Sequence, residues 1–198
     1  MDTVTPLTAT EVIDRVQTAR TFAHQCEVEQ LDLAVQWALL HPCTDEYPAG
    51  WEDPRMLSLT PAPLAGPGTP LVDEYAPASL AAALGLTLDA GRALIADALE
   101  LTYRLPRLWD LVVAGLVEVW RARQISRETH DLSVETVAYA DRLITAVPAK
   151  VRLVDASRLV NEARLYFDPT VPSLMRSTSW PGAASGSDTP AAPPPPTS

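Results

Sequence analysis

Lysine and asparagine each occur once, as Lys150 and Asn161, and there are only two cysteines, Cys26 and Cys43, and three histidines, His24, His41 and His130. The two thiols lack the close spacing of a zinc knuckle or redox dithiol, and a lone pair in an unexported chain is read as reduced. No two histidines stand three or four apart on one helical face, which leaves metal ligation without a ligand set. A strand-borne GxSxG elbow and the GxxxxGK and GxGxxG phosphate loops are missing as well. Ser185 sits among small residues where nothing could hold it against a base, Cys26 reads as a small apolar position, and the His130-Asp131 pair alone is too little to specify a phosphohydrolase. These absences argue against a catalytic centre, a metal, a cofactor or a small-molecule substrate.

Long apolar runs are lacking too. The longest is about seven residues, near Leu111, against the roughly 20 that a membrane span needs. Residues 1–15 are polar and acidic, without the apolar stretch of an export signal. Neither a membrane span nor a leader is expected, and the default location is the cytoplasm.

What the sequence has is proline, acid and arginine. Eight of the 19 prolines fall between Pro42 and Pro77, and eight more between Pro169 and Pro196. Because proline breaks helices and removes sheet donors, the clusters mark where regular structure should stop. The net charge of −10 disfavours whole-surface attraction to nucleic acid or anionic lipid. Its distribution is uneven: residues 1–60 carry ten acids against three arginines, whereas residues 91–127 carry six arginines against four acids. Any anion-binding face must therefore be local.

The expected fold is all-α, with a long amino-terminal helix, a bundle of about six shorter helices, a Pro-rich loop and a disordered carboxy-terminal tail. Thr8 and Glu11 form a capping-box signature before an apolar-periodic stretch over residues 8–41. Heptad spacing picks out Val12, Val16, Ala19, Ala23, Cys26, Leu33, Trp37 and Leu40, with Gln30 the one polar interruption. That seam should pack either within this chain's own bundle, the simpler expectation, or on a second copy as a homodimer. Residues 42–76 read as a wrapping loop that Trp51 and Met56 could dock. Residues 77–168 read as the bundle, forming one domain with the long helix: 77–84, a helix capped by Thr87, one opened by Pro106, then 117–130, 134–147 after Ser133, and 150–167. No stretch alternates with period two, so essentially no sheet is expected. From 169 to 198 composition points to a disordered tail with polyproline character.

Two constellations could bear on nucleic acid. Leu80-Ala81-Ala82-Ala83-Leu84-Gly85-Leu86-Thr87, followed by Ala90, Arg92 and Leu94, has the spacing of a helix-turn-helix, with small residues where two helices cross. Its second helix would present Asp89, Asp97 and Glu100 outward with only Arg92 as a phosphate partner, so a structural helix corner is the better reading. The other constellation is Arg92, Arg104, Arg107, Arg121, Arg123 and Arg127, with Trp109 and Trp120 interleaved, a pattern suited to phosphate or single-strand contacts. Against it, Glu100, Asp110, Glu118 and Glu128 could pair with these arginines, each surface pair contributing about 0.3–0.5 kcal/mol.

Several motifs occur in order: His41-Pro42 after an Ala/Leu helix with Trp37, Asp73-Glu74-Tyr75-Ala76, Leu84-Gly85-Leu86, Asp89-Ala90-Gly91-Arg92, Leu99-Glu100-Leu101, Arg104-Leu105-Pro106-Arg107-Leu108-Trp109, Val113-Ala114-Gly115 and Trp120-Arg121-Ala122-Arg123. On these motifs residues 8–170, most specifically 73–128, resemble the actinobacterial family called domain of unknown function 222, the amino-terminal module of HNH-endonuclease-like proteins. The resemblance implies association with DNA-processing proteins and a nuclease part located downstream. An HNH centre uses histidines and an asparagine around a divalent metal. Asn161 falls in a helical stretch, no histidine follows His130, and the helical continuation gives way to the Ser/Pro/Ala tail, so a truncated member without the nuclease is the expectation. Two roles follow as expectations: a non-catalytic accessory module that positions its protein on DNA through the arginines, or a protein-interaction module joined through the Val12-to-Leu40 seam.

Overall fold

A computed structural model describes residues 7–43, 63–146 and 153–167, and these are all-α. Helix α1 (Ala9–Leu40) starts where the capping box is complete: the Glu11 amide donates to Thr8 Oγ1 at 3.3 Å and the Glu11 carboxylate accepts the Thr8 amide at 2.7 Å. The Thr8 amide and the Thr8 hydroxyl, both donating to that carboxylate, hold the Glu11 carboxyl below its usual pKa. The helix ends at His41, because Pro42 cannot continue it.

Only the carboxy-terminal half of α1 is buried, through Leu31, Ala34, Val35 and Ala38, a one-sided stripe at helical spacing. This corrects the simpler expectation for the heptad line. Val12, Val16, Ala19, Ala23, Cys26, Leu33 and Leu40 all face away from the bundle, and among the seam residues Trp37 alone is half-buried, with its Nε1 donating to the Ala76 carbonyl at 2.9 Å. The bundle meets α1 about a third of a turn from the seam.

Helix α2 (Ala76–Leu84) and α3 (Leu88–Tyr103) form the anticipated corner, bent by 106°. Gly85 takes φ +66°, a left-handed conformation that glycine adopts at little cost. The Leu86 amide closes the end on the Ala81 carbonyl at 2.8 Å, and Thr87 Oγ1 then caps α3 by accepting the Ala90 amide. The crossing is tight: a Cβ on Gly91 would lie 2.6 Å from Ala81 Cβ. Helix α3 is the centre of the molecule, buried continuously from Leu94 to Leu101, including Asp97 and Glu100. It cannot lie in a DNA groove, and of the three acids expected on its outer face only Asp89 is exposed.

Around α3 pack α4 (Pro106–Val113), α5 (Val119–Arg127), α6 (Val134–Thr145, capped by Ser133) and α7 (Leu153–Phe167). Helices α6 and α7 pack together, with Val137, Ala140 and Ile144 buried on the first and Ala156, Val160 and Ala163 on the second, and Tyr139 stacks on Tyr166 with ring centroids 5.2 Å apart. Helix α5 stops short of the anticipated residue 130: the chain tightens into turns, with the Glu128 and Thr129 amides donating to the Ile125 and Ser126 carbonyls at 3.0 and 3.1 Å, and Arg104 donates to the freed Thr129 carbonyl. The described part of the Pro-rich loop, 63–75, wraps onto the bundle with Ala65, Thr69 and Val72 buried. One isolated antiparallel bridge, Pro42 to Val72, is the only sheet-like pairing among the described residues. Trp51, Met56, residues 150–152 and the 169–198 tail lie outside the described residues. No single helix among those described is long and apolar enough to cross a membrane.

Candidate functional site

The six arginines do not form one face. Arg104 is in the core: its Nη1 donates to both Glu100 oxygens at 2.7 and 2.9 Å and to the Thr129 carbonyl, and its Nη2 donates to the Leu132 carbonyl at 2.6 Å. This corrects its reading as a nucleic-acid contact, since a buried guanidinium bound to a carboxylate one turn earlier cannot reach a phosphate. Glu100 also accepts Thr129 Oγ1 at 2.7 Å and the Gly66 amide at 3.1 Å, which ties the wrapping loop and the α5–α6 connection to α3.

Arg123 and Arg127 clasp one buried carboxylate. Asp97, fully out of solvent, accepts Arg123 Nε at 2.8 Å, Arg127 Nη2 at 3.0 Å and Ser126 Oγ at 3.0 Å. Burying a carboxylate is costly unless it is paired, and two guanidinium groups with a hydroxyl supply the pairing. Arg121 lies over the Trp120 ring, 5.2 Å from its centroid. Arg107 and Arg92 are exposed. The pairing anticipated for Glu100 and Arg104 is present but buried, and Glu118 pairs with Arg20 of α1 instead of a neighbouring arginine.

Two clefts flank the end of α5. One of about 460 Å³ is lined by Leu64, Arg92, Asp97, Arg127 and His130 among others, and one of about 330 Å³ by Arg127, His130, Asp131, Asn161 and Arg164 among others. Their cations are largely committed: Arg127 to Asp97, and Arg164 to Asp131 at 3.0 Å. A phosphate entering either cleft would compete with carboxylates already in place.

Comparison with known proteins adds no relative: no family model, curated protein or solved structure matches the chain. The site must be read from its own geometry.

That geometry leaves the outer face of α1. Every side chain from Ala9 to Ala23 is exposed, although Val12, Ile13, Val16, Ala19, Phe22 and Ala23 are apolar. Contact with the bundle starts at Arg20, which pairs with Glu118, and at His24, whose Nε2 lies 2.8 Å from the Val112 carbonyl. Both contacts tie α1 to the α4–α5 connection, where Val113 and Leu116 are also exposed. Phe22, Val113 and Leu116 were not singled out by the heptad pattern. Phe22 sits beside the heptad line, and the other two flank a helix end, where apolar exposure leaves no periodic signal.

Two structural residues were likewise invisible to motif reading. Asp97 was misplaced because a carboxylate is ordinarily read as an outward residue, although its neighbours Leu94, Ile95, Ala96, Ala98 and Leu99 are all apolar. Asp141 of α6 caps α4 from another helix, accepting the Arg107 and Leu108 amides at 3.1 and 3.0 Å. A hint existed: Pro106 opens α4 behind Leu105, which has no capping side chain, so the cap had to come from elsewhere. Burial pushes the Asp141 carboxyl pKa up, partly offset by those two amide bonds and by Arg107.

Proposed function

We propose that this chain is a helical interaction module that joins a second copy of itself through the outer face of α1. The reading rests on one observation: from Ala9 to Ala23 the apolar residues at heptad spacing are all exposed, while Arg20, paired with Glu118, ties this stretch to the bundle beside them. Isolated helices are marginal in water and draw most of their stability from an apolar face packed against a partner. A fifteen-residue projection of this kind, about 22 Å long, has the form of a half-interface. With the resemblance noted above, the module would pair accessory regions of a DNA-associated protein, its own contribution being assembly.

The arginine pattern gives less support to direct DNA contact. Arg104 is internal and Arg123 and Arg127 serve Asp97, so exposed Arg92 and Arg107 are the main cations left for phosphate. Light scattering of the purified full chain tests the proposal. Expected is a mass twice the 21.4 kDa of one chain, falling towards the monomer on dilution. A monomer at every concentration would overturn it.

A further inference from the structure

The charges beside the seam specify how two copies would meet, and we infer that the α1 helices pair antiparallel about a two-fold axis near residue 21. The inference rests on the self-association just proposed.

Val12, Ala19, Cys26 and Leu33 occupy one core position of the heptad, and Ala9, Val16, Ala23 and Gln30 the other. Antiparallel pairing centred at residue 21 sets Ala19 opposite the second copy's Ala23, Val16 opposite its Cys26, Val12 opposite its Gln30, and Ala9 opposite its Leu33. Two alanine layers flank the axis and let the helices approach closely, while Val16 and Leu33, 61% and 52% exposed in the single chain, fill the outer layers. The overlap spans roughly 37 Å of helix.

The flank turned away from the bundle carries Arg15, Phe22 and Glu29. In this register Arg15 of each copy lies opposite Glu29 of the other, forming two reciprocal ion pairs, and the two Phe22 rings, each 66% exposed, meet at the axis. On the other flank the two Arg20 side chains approach the axis, each already neutralised by its own Glu118. The exposed Val113 and Leu116 lie on the connection that Arg20 and His24 hold against α1, so they add apolar area close to the axis. Parallel pairing would instead set Arg15 of one copy beside Arg20 of the other, already held by its Glu118, and Glu29 beside Ala34, so neither Arg15 nor Glu29 would gain an opposite charge across the seam.

Native Cys26 provides a direct test. In the antiparallel register the two Cys26 residues stand about 15 Å apart along the axis, far beyond the roughly 7 Å that a disulfide can bridge between Cα atoms. In a parallel seam they would face each other. In a full-length Cys43→Ser background, mild oxidation should leave the chain uncrosslinked, and adding Val16→Cys should yield a covalent dimer through Cys26 of the second copy. Arg15→Glu and Glu29→Arg should each weaken the dimer about ten-fold, and the two together should restore it. A dimer that cross-links through Cys26 alone, or one indifferent to Val16→Cys and the charge swap, overturns the antiparallel arrangement while leaving self-association standing. Absence of any dimer removes self-association itself.

Discussion

Arg104 and Glu100 face each other one turn apart on α3 and its cap, with both side chains out of solvent and Nη1 between the two carboxylate oxygens. The pair is a junction: Glu100 also receives Thr129 and Gly66, and Arg104 also reaches two carbonyls. Removing one member strands a buried charge and several polar groups. Arg104→Ala should destabilise the chain by about 3–5 kcal/mol, read as a lower denaturation midpoint. A double change to Leu at 100 and Met at 104 should cost less than the two single changes summed; strict additivity would show that the charges are not coupled.

Arg123 and Arg127 are expected to behave as stability residues. Replacing both with Ala leaves Asp97 buried with only Ser126 Oγ as a partner among those described, which should cost about 3 kcal/mol or more. Thermal melts of the double variant, beside low-salt DNA titrations of the parent, separate the readings. Tight parental binding lost in a variant of unchanged melting temperature would favour the phosphate role.

Gly66 has no room for a side chain. An added Cβ would sit 1.5 Å from Arg104 Nη1 and 2.8 Å from the His130 carbonyl. Gly66→Ala must therefore push the loop off the junction, and a loss of about 1–3 kcal/mol is expected from overpacking. Protease cleavage within 63–72 should rise in parallel, and an unchanged digestion rate would contradict this account.

Asp141 makes stability depend on pH in an unusual direction for a carboxylate. Its folded pKa is raised above 3.8, so between that value and the raised one the native state holds more protons than the unfolded chain. Its contribution is fullest below 3.8 and declines as pH climbs through the folded value. Asp141→Asn should flatten that slope while weakening the cap on α4, because an amide has one accepting oxygen for two backbone donors. Urea midpoints measured from acid to neutral pH check this; parallel curves for parent and variant would contradict it.

The helix starts were legible because capping is local: Thr8, Thr87 and Ser133 each announce a helix within three residues. Gly85 and the small residues before it identified the α2–α3 corner for the same reason. The buried side of α1 was not legible, since its apolar residues occupy two arcs and periodicity alone cannot tell which one the bundle covers. Asp97 and Glu100 were misplaced because polarity usually marks an outer face, whereas α3 is enclosed and its acids are matched by partners 26 to 34 residues away or, for Arg104, one turn along. The arginines were the right residue type for phosphate, but only tertiary structure could show that Arg104, Arg123 and Arg127 are committed to buried carboxylates.

The junction at Glu100 also orders events in time. Its bond to Arg104 lies within one stretch of helix and can form as soon as α3 does, whereas Gly66, Thr129 and Leu132 arrive across 25 to 34 residues of intervening chain. Long-range closures come later and are lost sooner than local ones. The Gly66 amide should thus exchange its hydrogen through a smaller opening than the central amides of α3, making the wrapping loop the last strap fastened in folding and the first released.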